Sequence, residues 1–325
     1  VGETEFVFAS ALHPSARGFF TVSRAGGQID LEEGYFTLLR GLPGGVVLKG
    51  GKYRAGFGKL NPAHPHTYSF AERFGVLKAY LPGDEAFNET GLDLSWRLPL
   101  PGSWSVTASG DVLQGDSFRI ARTPTLATND PLLSPLPGDH ETEPRAAWLG
   151  RLAAFAPVGD RSGVELGLSA TQGTNNVAAQ ARTLVTGADV KAKLWTSASA
   201  YLLAQGEFVR LDRDEAGWDG VSAAYTRAQR RDSGGYLFAD YNWAQRYNAG
   251  ASFESFEDPA VNGARQQSFG LFAGLALMEE TTAFRLDWRH TQPGRPIGAA
   301  TDPGAENHLT LRVIYSMGPH KAHQF

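Results

Sequence analysis

Leu309-Thr310-Leu311-Arg312-Val313-Ile314-Tyr315-Ser316 puts Leu309, Leu311, Val313 and Tyr315 on one side of an extended chain, and Thr310, Arg312 and Ser316 on the other. Successive side chains of a strand point to opposite faces, so this is a ribbon that is apolar on one side and polar or ionic on the other. The same alternation recurs upstream. Between Ser103 and Val112, Trp104, Val106, Ala108 and Val112 oppose Ser103, Ser105, Thr107, Ser109 and Asp111. Val164, Leu166, Leu168 and Ala170 oppose Glu165, Gly167, Ser169 and Thr171. Leu184, Ala188, Val190, Ala192 and Leu194 oppose Asp189, Lys191 and Lys193, and Phe284, Leu286 and Trp288 oppose Arg285, Asp287 and Arg289.

Two architectures bury one face of such ribbons: a soluble β-sandwich, and a membrane barrel whose apolar face meets lipid. Charges in mid-strand and connectors that alternate between short and long favour the barrel. The reading is all-β: a transmembrane antiparallel up-and-down β-barrel in the outer membrane of a bacterium, one domain over residues 1–325. Fourteen strands are counted from Arg17 onward. Residues 1–16 form either a periplasmic segment or an extra strand over Thr4 to Leu12. In the latter case an even count calls for a partner upstream of Val1 and gives sixteen.

Composition agrees. The chain has 325 residues, of which 20% are charged and 11% aromatic, with 38 glycines and no cysteine. No apolar run approaches the ~18 residues of a transmembrane helix, and barrels escape that criterion because lumen-facing residues dilute the lipid-facing ones. The missing thiols exclude disulfides and thiolate chemistry. A formal net charge of -4 gives no reason to expect a nucleic-acid partner.

Short turns are expected at Leu42-Pro43-Gly44-Gly45, Leu100-Pro101-Gly102, Val158-Gly159-Asp160, Thr196-Ser197-Ala198 and Glu279-Glu280. Long excursions are expected at Lys59 to Glu89, Gly115 to Pro144, Asp214 to Ser233 and Pro293 to Asn307. Short turns face the periplasm and long loops the exterior in bacterial barrels. The excursion from Lys59 to Glu89 carries Tyr68, Phe70, Phe74 and Leu77. Those side chains need burial, so this loop should fold into the lumen as a constriction.

One stretch is distinctive: Asp30-Leu31-Glu32-Glu33-Gly34-Tyr35, then Gly51-Lys52-Tyr53-Arg54-Ala55-Gly56-Phe57-Gly58-Lys59-Leu60-Asn61-Pro62-Ala63-His64-Pro65-His66, then Ala71-Glu72-Arg73 and Gly91-Leu92-Asp93-Leu94-Ser95-Trp96. With the ending Gly318-Pro319-His320-Lys321-Ala322-His323-Gln324-Phe325, the chain resembles a bacterial family described as zinc-regulated TonB-dependent outer-membrane receptors. It is also broadly similar to phosphate-selective porins. The resemblance implies an outer-membrane barrel linked to metal supply. A TonB-linked receptor would need a plug of roughly a hundred residues, and the expectation here is a barrel without one.

The register assigns Lys52, Arg54, Arg97, Arg151, Lys191, Lys193, Arg285, Arg289 and Arg312 to the lumen. Asp93, Asp111, Glu165, Asp189, Glu207, Asp240, Glu254 and Asp287 face them. The two signs nearly cancel, which predicts weak ion selectivity or ion pairs that narrow the channel. His64 and His66 flank a proline and can point the same way, toward a Zn²⁺-class metal with Asn61 and Glu72 as oxygen donors. Their alternative role is hydrogen bonding to the barrel wall. His320 and His323, with His13 at the same end, and His140 between Asp139 and Glu141 are weaker candidates. Phe325 is read as an assembly signal for the barrel-assembly machinery.

No nucleophile elbow or phosphate loop is present, so no enzyme is expected and no cofactor beyond that zinc. Two functions remain open. One is a porin-like channel for small hydrophilic solutes, metal ions or their complexes included. The other is a closed barrel that docks another envelope protein.

Overall fold

A computed structural model describes residues 2–83, 86–119, 145–177, 179–219, 224–261, 263–277, 282–295 and 303–316. The strands are β1 (Glu3–His13), β2 (Ala16–Ala25), β3 (Gln28–Leu38), β4 (Val46–Arg54), β5 (Asn88–Leu98), β6 (Ser105–Leu113), β7 (Ala147–Val158) and β8 (Ser162–Asn176). They continue as β9 (Ala181–Trp195), β10 (Tyr201–Asp219), β11 (Ala224–Trp243), β12 (Tyr247–Asp258), β13 (Ala264–Leu277), β14 (Thr282–Gln292) and β15 (Glu306–Tyr315). A short helix, α1 (Gly75–Tyr80), lies in the connection between β4 and β5.

Each strand pairs antiparallel with the next, in a single sheet ordered β1 to β15. The fourteen strands expected from Arg17 onward are β2 to β15, and Thr4 to Leu12 lies within the additional strand β1. With fifteen strands, the first and last run in the same direction. The antiparallel ladder therefore cannot continue from β15 to β1, and among the described residues no pairing joins them.

The alternation holds along the sheet. Leu168, Phe208, Leu271 and Leu311 are exposed on the outer face, Leu168 at 61% and Leu311 at 67%. Such a surface, continuous around a sheet, is compatible with hydrocarbon and costly in water. Leu168→Arg, in the middle of β8, should cost about 2–4 kcal/mol on bilayer insertion. Folding yield into lipid vesicles measures it, and an undiminished yield would contradict the outward assignment.

Short turns join the strands at one end. Pro43–Gly45 links β3 to β4, Gly159 lies between β7 and β8, and Ala244-Gln245 link β11 to β12 with φ of 53° and 57°. At the other end, Gly26 and Gly27 take φ of 56° and 86° in the two-residue turn between β2 and β3, where glycine removes the steric cost.

One expected loop is a hairpin instead. The long excursion expected from Asp214 to Ser233 is not one. In fact β10 and β11 stay paired from Tyr201↔Asn242 out to Asp219↔Ala224. A barrel crossing needs only about 9–11 residues, so these strands of 19 and 20 residues project beyond the apolar belt. Both parities of the sequence carry charge there, Arg210 and Asp212 on one and Arg213 and Glu215 on the other, which erases the period-2 signal. Arg227 to Arg231 are part of β11. Within it, Arg230 Nε meets Glu215 Oε1 at 2.6 Å and Arg231 Nε meets Asp212 Oδ1 at 3.3 Å.

Strand β3 explains its own blurred pattern. Its pairing with β2 slips between Thr21↔Glu33 and Val22↔Leu31, leaving Glu32 as an extra residue. That bulge turns the consecutive side chains Glu32 and Glu33 both into the interior, where each is buried.

Candidate functional site: the internal loop and its wall

The connection between β4 and β5, residues 55–87, occupies the inside of the sheet and forms the core. Phe70, Phe74 and Leu77 are 1%, 1% and 0% exposed. Phe74 stacks on Tyr236 of β11 with ring centroids 4.0 Å apart, and Phe70 meets Phe238 at 5.1 Å and Phe272 of β13 at 5.9 Å. Tyr80 of α1 meets Phe256 of β12 edge-on at 6.1 Å. The loop therefore folds inward, as its aromatic content requires.

Its backbone is held by wall carboxylates. Glu207 Oε1 accepts from Lys59 N and Leu60 N, each at 2.8 Å, and from the Tyr236 hydroxyl at 2.7 Å. Glu254 Oε1 accepts from Val76 N at 2.7 Å, Asp287 Oδ2 from Ala71 N at 3.3 Å, and Asp240 Oδ2 from Ser69 Oγ at 2.5 Å. Gly58 takes φ of +60°, and a Cβ there would fall 2.1 Å from Glu207 Oε2. Glycine is thus required where the loop passes closest to that carboxylate.

Wall arginines hold the carbonyls. Arg312 Nη1 donates to Pro65 O at 3.0 Å, and Arg285 Nη1 to His66 O at 2.8 Å. Further bonds run from Arg312 to Ala71 O and from Arg285 to Tyr68 O, and Arg289 Nη2 reaches Glu72 O at 3.2 Å. Within the loop, Asn61 Nδ2 donates to Ala55 O and Phe87 O at 2.8 and 3.0 Å, while its Oδ1 accepts from Arg73 Nη2 at 2.8 Å. Burial lowers the Arg73 pKa and raises that of Tyr68.

Most of the residues expected in the lumen face it. On β5 and β6, Asp93 and Asp111 are buried, with Tyr53 Oη donating to Asp111 Oδ1 at 2.8 Å. Arg97, on the same face of β5, donates through Nε to Ser105 Oγ at 2.7 Å. Arg151 pairs with Asp189 at 2.6 Å and lies 3.8 Å from Glu165, which is paired with Lys59 at 2.5 Å. Lys191 and Lys193 line β9, with Lys193 Nζ 4.4 Å from the Tyr201 ring centroid. Asp240, Glu254, Arg285, Asp287, Arg289 and Arg312 are the docking groups above.

Lys52 differs. It shares the strand face of Leu48 and Gly50, away from Lys49 and Tyr53, and its Nζ donates to Leu31 O at 2.7 Å. Arg54 has the same parity but is buried at the strand end, where Nη2 meets Glu32 Oε2 at 3.2 Å and Nη1 meets Ala63 O at 3.1 Å. The inner-face cation of β4 that the sequence reading passed over is Lys49, 4.3 Å from the Tyr53 ring centroid.

The expected histidine pair is assembled, with different carboxylates. His64 and His66 have ring centroids 5.5 Å apart. They meet Glu5 of β1 and Glu32 and Glu33 of β3, with His64 Nε2 at 2.7 Å from Glu33 Oε2. Asn61 is committed to the loop backbone, and Glu72 is exposed beside Lys78 at 3.3 Å. Neither belongs to the histidine cluster. His13 accepts from Ser15 N at the turn after β1. His140, His320, His323, Phe325 and the Glu279-Glu280 turn lie outside the described residues, as does nearly all of the excursion from Gly115 to Pro144.

Solved structures similar to this chain have the same arrangement of strands. OmpT, an outer membrane protein of Vibrio cholerae, is similar with a TM-score of 0.53 and 10% identity, covering 96% of this chain and 88% of that one. The anion-selective porin from Comamonas acidovorans is similar with a TM-score of 0.54 and 10% identity, over 97% and 84% of the two chains. The fold is that of an outer-membrane β-barrel.

No family model matches the chain. An uncharacterized protein of Aquifex aeolicus (strain VF5) is 28% identical over 248 residues, which are 73% of this chain and 50% of that protein. The chain thus spans about half the length of the curated relative it matches.

Proposed function

We propose that this barrel is an outer-membrane channel for small hydrophilic solutes, constricted by its own β4–β5 loop, and not an enzyme. The observation that carries this reading is the disposition of inner-wall charge around the loop. Glu207, Asp240, Glu254 and Asp287 are buried as acceptors for the loop, and Asp189 is buried against Arg151. On the inner face of β4, β5 and β9, Arg97 is exposed and Lys49, Lys191 and Lys193 are half-buried, each more accessible than those acids. Nearly equal numbers of the two signs in the sequence therefore become an accessible surface richer in cations, which favours anions over cations. Anionic metal complexes fall within that solute class. The bilayer surrounds the apolar outer face, and the barrel-assembly machinery would insert the protein.

Planar-bilayer recording of the pure protein tests this. Small, discrete conductance steps are expected, with a reversal potential in a KCl gradient on the anion side. Silence from both the wild type and a variant with a loosened loop would end the channel reading.

The second reading is a closed barrel that docks an envelope partner. The dry aromatic packing of Phe70, Phe74, Phe238 and Phe272 favours it. Silence together with stoichiometric co-purification of one partner would select it.

A further inference from the structure

The cluster at the loop's contact with β1 and β3 has a geometry that hydrogen bonding leaves unexplained. His64 Nδ1 is buried and has no hydrogen-bond partner. Its neighbours are Glu32 Oε2 at 3.4 Å and Glu5 Oε2 at 3.7 Å, and His66 Nδ1 lies 3.4 Å from both oxygens of Glu5. These spacings are long for hydrogen bonds. They are close to the edge of a tetrahedron around an ion with bonds of about 2.0–2.1 Å, which is about 3.3 Å.

The outer contacts fit as well. His64 Nε2 and Glu33 Oε2 are 2.7 Å apart, so Nε2 carries the proton and donates. That fixes the tautomer with the Nδ1 lone pair facing the cluster, the carboxylate–histidine arrangement that supports bound metals. Arg54 Nη2 holds Glu32 Oε2 at 3.2 Å, and the bulge at Glu32 is what brings that carboxylate inward beside Glu33. Charge points the same way. Glu5, Glu32 and Glu33 face one guanidinium, with side chains only 14%, 10% and 9% exposed. A dication offsets the excess. Protonating both imidazoles would offset it too, but would leave the new His64 Nδ1–H with acceptors no nearer than 3.4 Å.

We infer that Glu5, His64 and His66, whose ligand atoms lie within 4.8 Å of one another, form a site for a borderline divalent cation of the Zn²⁺ class, with Glu32 beside His64 as the fourth donor. Two nitrogen and two oxygen donors suit such an ion and disfavour Ca²⁺ or Mg²⁺, which take oxygen. The ion would clamp the loop to β1 and β3 at the start of the sheet. Arg312 and Arg285 hold the neighbouring Pro65 and His66 carbonyls from β15 and β14. The same few loop residues then bridge both unpaired ends of the ladder. The site stands whether or not the barrel conducts.

The test is Zn²⁺ titration of the full chain, folded in detergent and stripped with chelator, followed by calorimetry and by metal analysis after desalting. One equivalent should remain bound, and Co²⁺ in its place should give the intense visible bands of tetrahedral coordination. His64→Ala with His66→Ala should weaken binding at least a hundredfold. Glu33→Gln, which changes the outer contact of His64 and none of the ligand residues themselves, should weaken it about 10–100-fold. The β-sheet circular dichroism of each variant establishes that it folded. A folded wild type that retains no Zn²⁺ after desalting would overturn the site, as would binding indifferent to both the double variant and Glu33→Gln.

Discussion

Glu207→Ala should free the start of the internal loop. The substitution removes one buried acceptor shared by Lys59 N, Leu60 N and the Tyr236 hydroxyl, and the donors left behind are shielded from water. Stranding buried donors around a lost carboxylate costs on the order of 3–5 kcal/mol. Because β10 keeps its full ladder with β9 and β11, the loss should appear as local opening. Hydrogen exchange at the Lys59 and Leu60 amides should accelerate by at least about a hundredfold. Glu165→Ala, which removes the partly exposed ion pair with Lys59 and a longer one with Arg151 but no acceptor of the loop backbone, should change those rates little, since such pairs contribute about 0–1 kcal/mol. Unchanged exchange in a folded Glu207→Ala barrel would show that the wall carboxylate does not hold the loop.

Phe74→Ala should destabilise the protein by about 3–5 kcal/mol, the range for deleting a fully buried aromatic side chain. The ring is enclosed by Tyr236, Phe70 and Phe238 and has Arg289 5.7 Å from its centroid. The wall on one side is a paired sheet that cannot collapse into the space left. Denaturant unfolding in detergent measures the loss, and Phe74→Leu should recover part of it. A change below about 1 kcal/mol would mean that the loop does not pack on the wall as described.

These two substitutions act on features with unequal visibility in the sequence. Phe74 announced itself: an aromatic in a long connection needs burial, and a barrel offers only its interior. The pocket that receives it was less visible. Tyr236-Leu237-Phe238, Leu184-Val185, Phe208-Val209 and Leu271-Phe272 place apolar residues on both faces of a strand. In a barrel with a wet lumen that is an anomaly, and it marks where the inner wall is dry. Glu207 has the parity of the inner face, yet its work as a backbone acceptor depends on a segment some 147 positions away. No local pattern carries that information.

The histidine cluster divides in the same way. His64-Pro65-His66 could be read as a pair pointing one way, because alternate residues of an extended chain share a side. The carboxylates beside it could not be chosen. Asn61 and Glu72 were near in sequence, but Asn61 is consumed by the loop backbone and Glu72 faces outward beside Lys78. Glu5, Glu32 and Glu33 reach the cluster because β1 joins the sheet and because a bulge in β3 reverses the parity of one residue. The two adjacent glutamates in a strand of blurred alternation were the available signal.

Period-2 alternation, with mid-strand charges and the alternation of short and long connectors, determined the antiparallel barrel, the outward apolar face, the fourteen strands from Arg17 onward and the turn end of the sheet, because lipid on one side and polar groups on the other constrain every residue of a crossing strand. Only the tertiary structure decided what the inner face does. Lumen charge, counted along the chain, nearly balances. Once the loop is seated, it uses the acids as acceptors and buries them, while Arg97 stays exposed and Lys49, Lys191 and Lys193 half-buried. Accessibility is a property of what packs against a side chain, and packing between segments far apart in the chain leaves no period in the sequence.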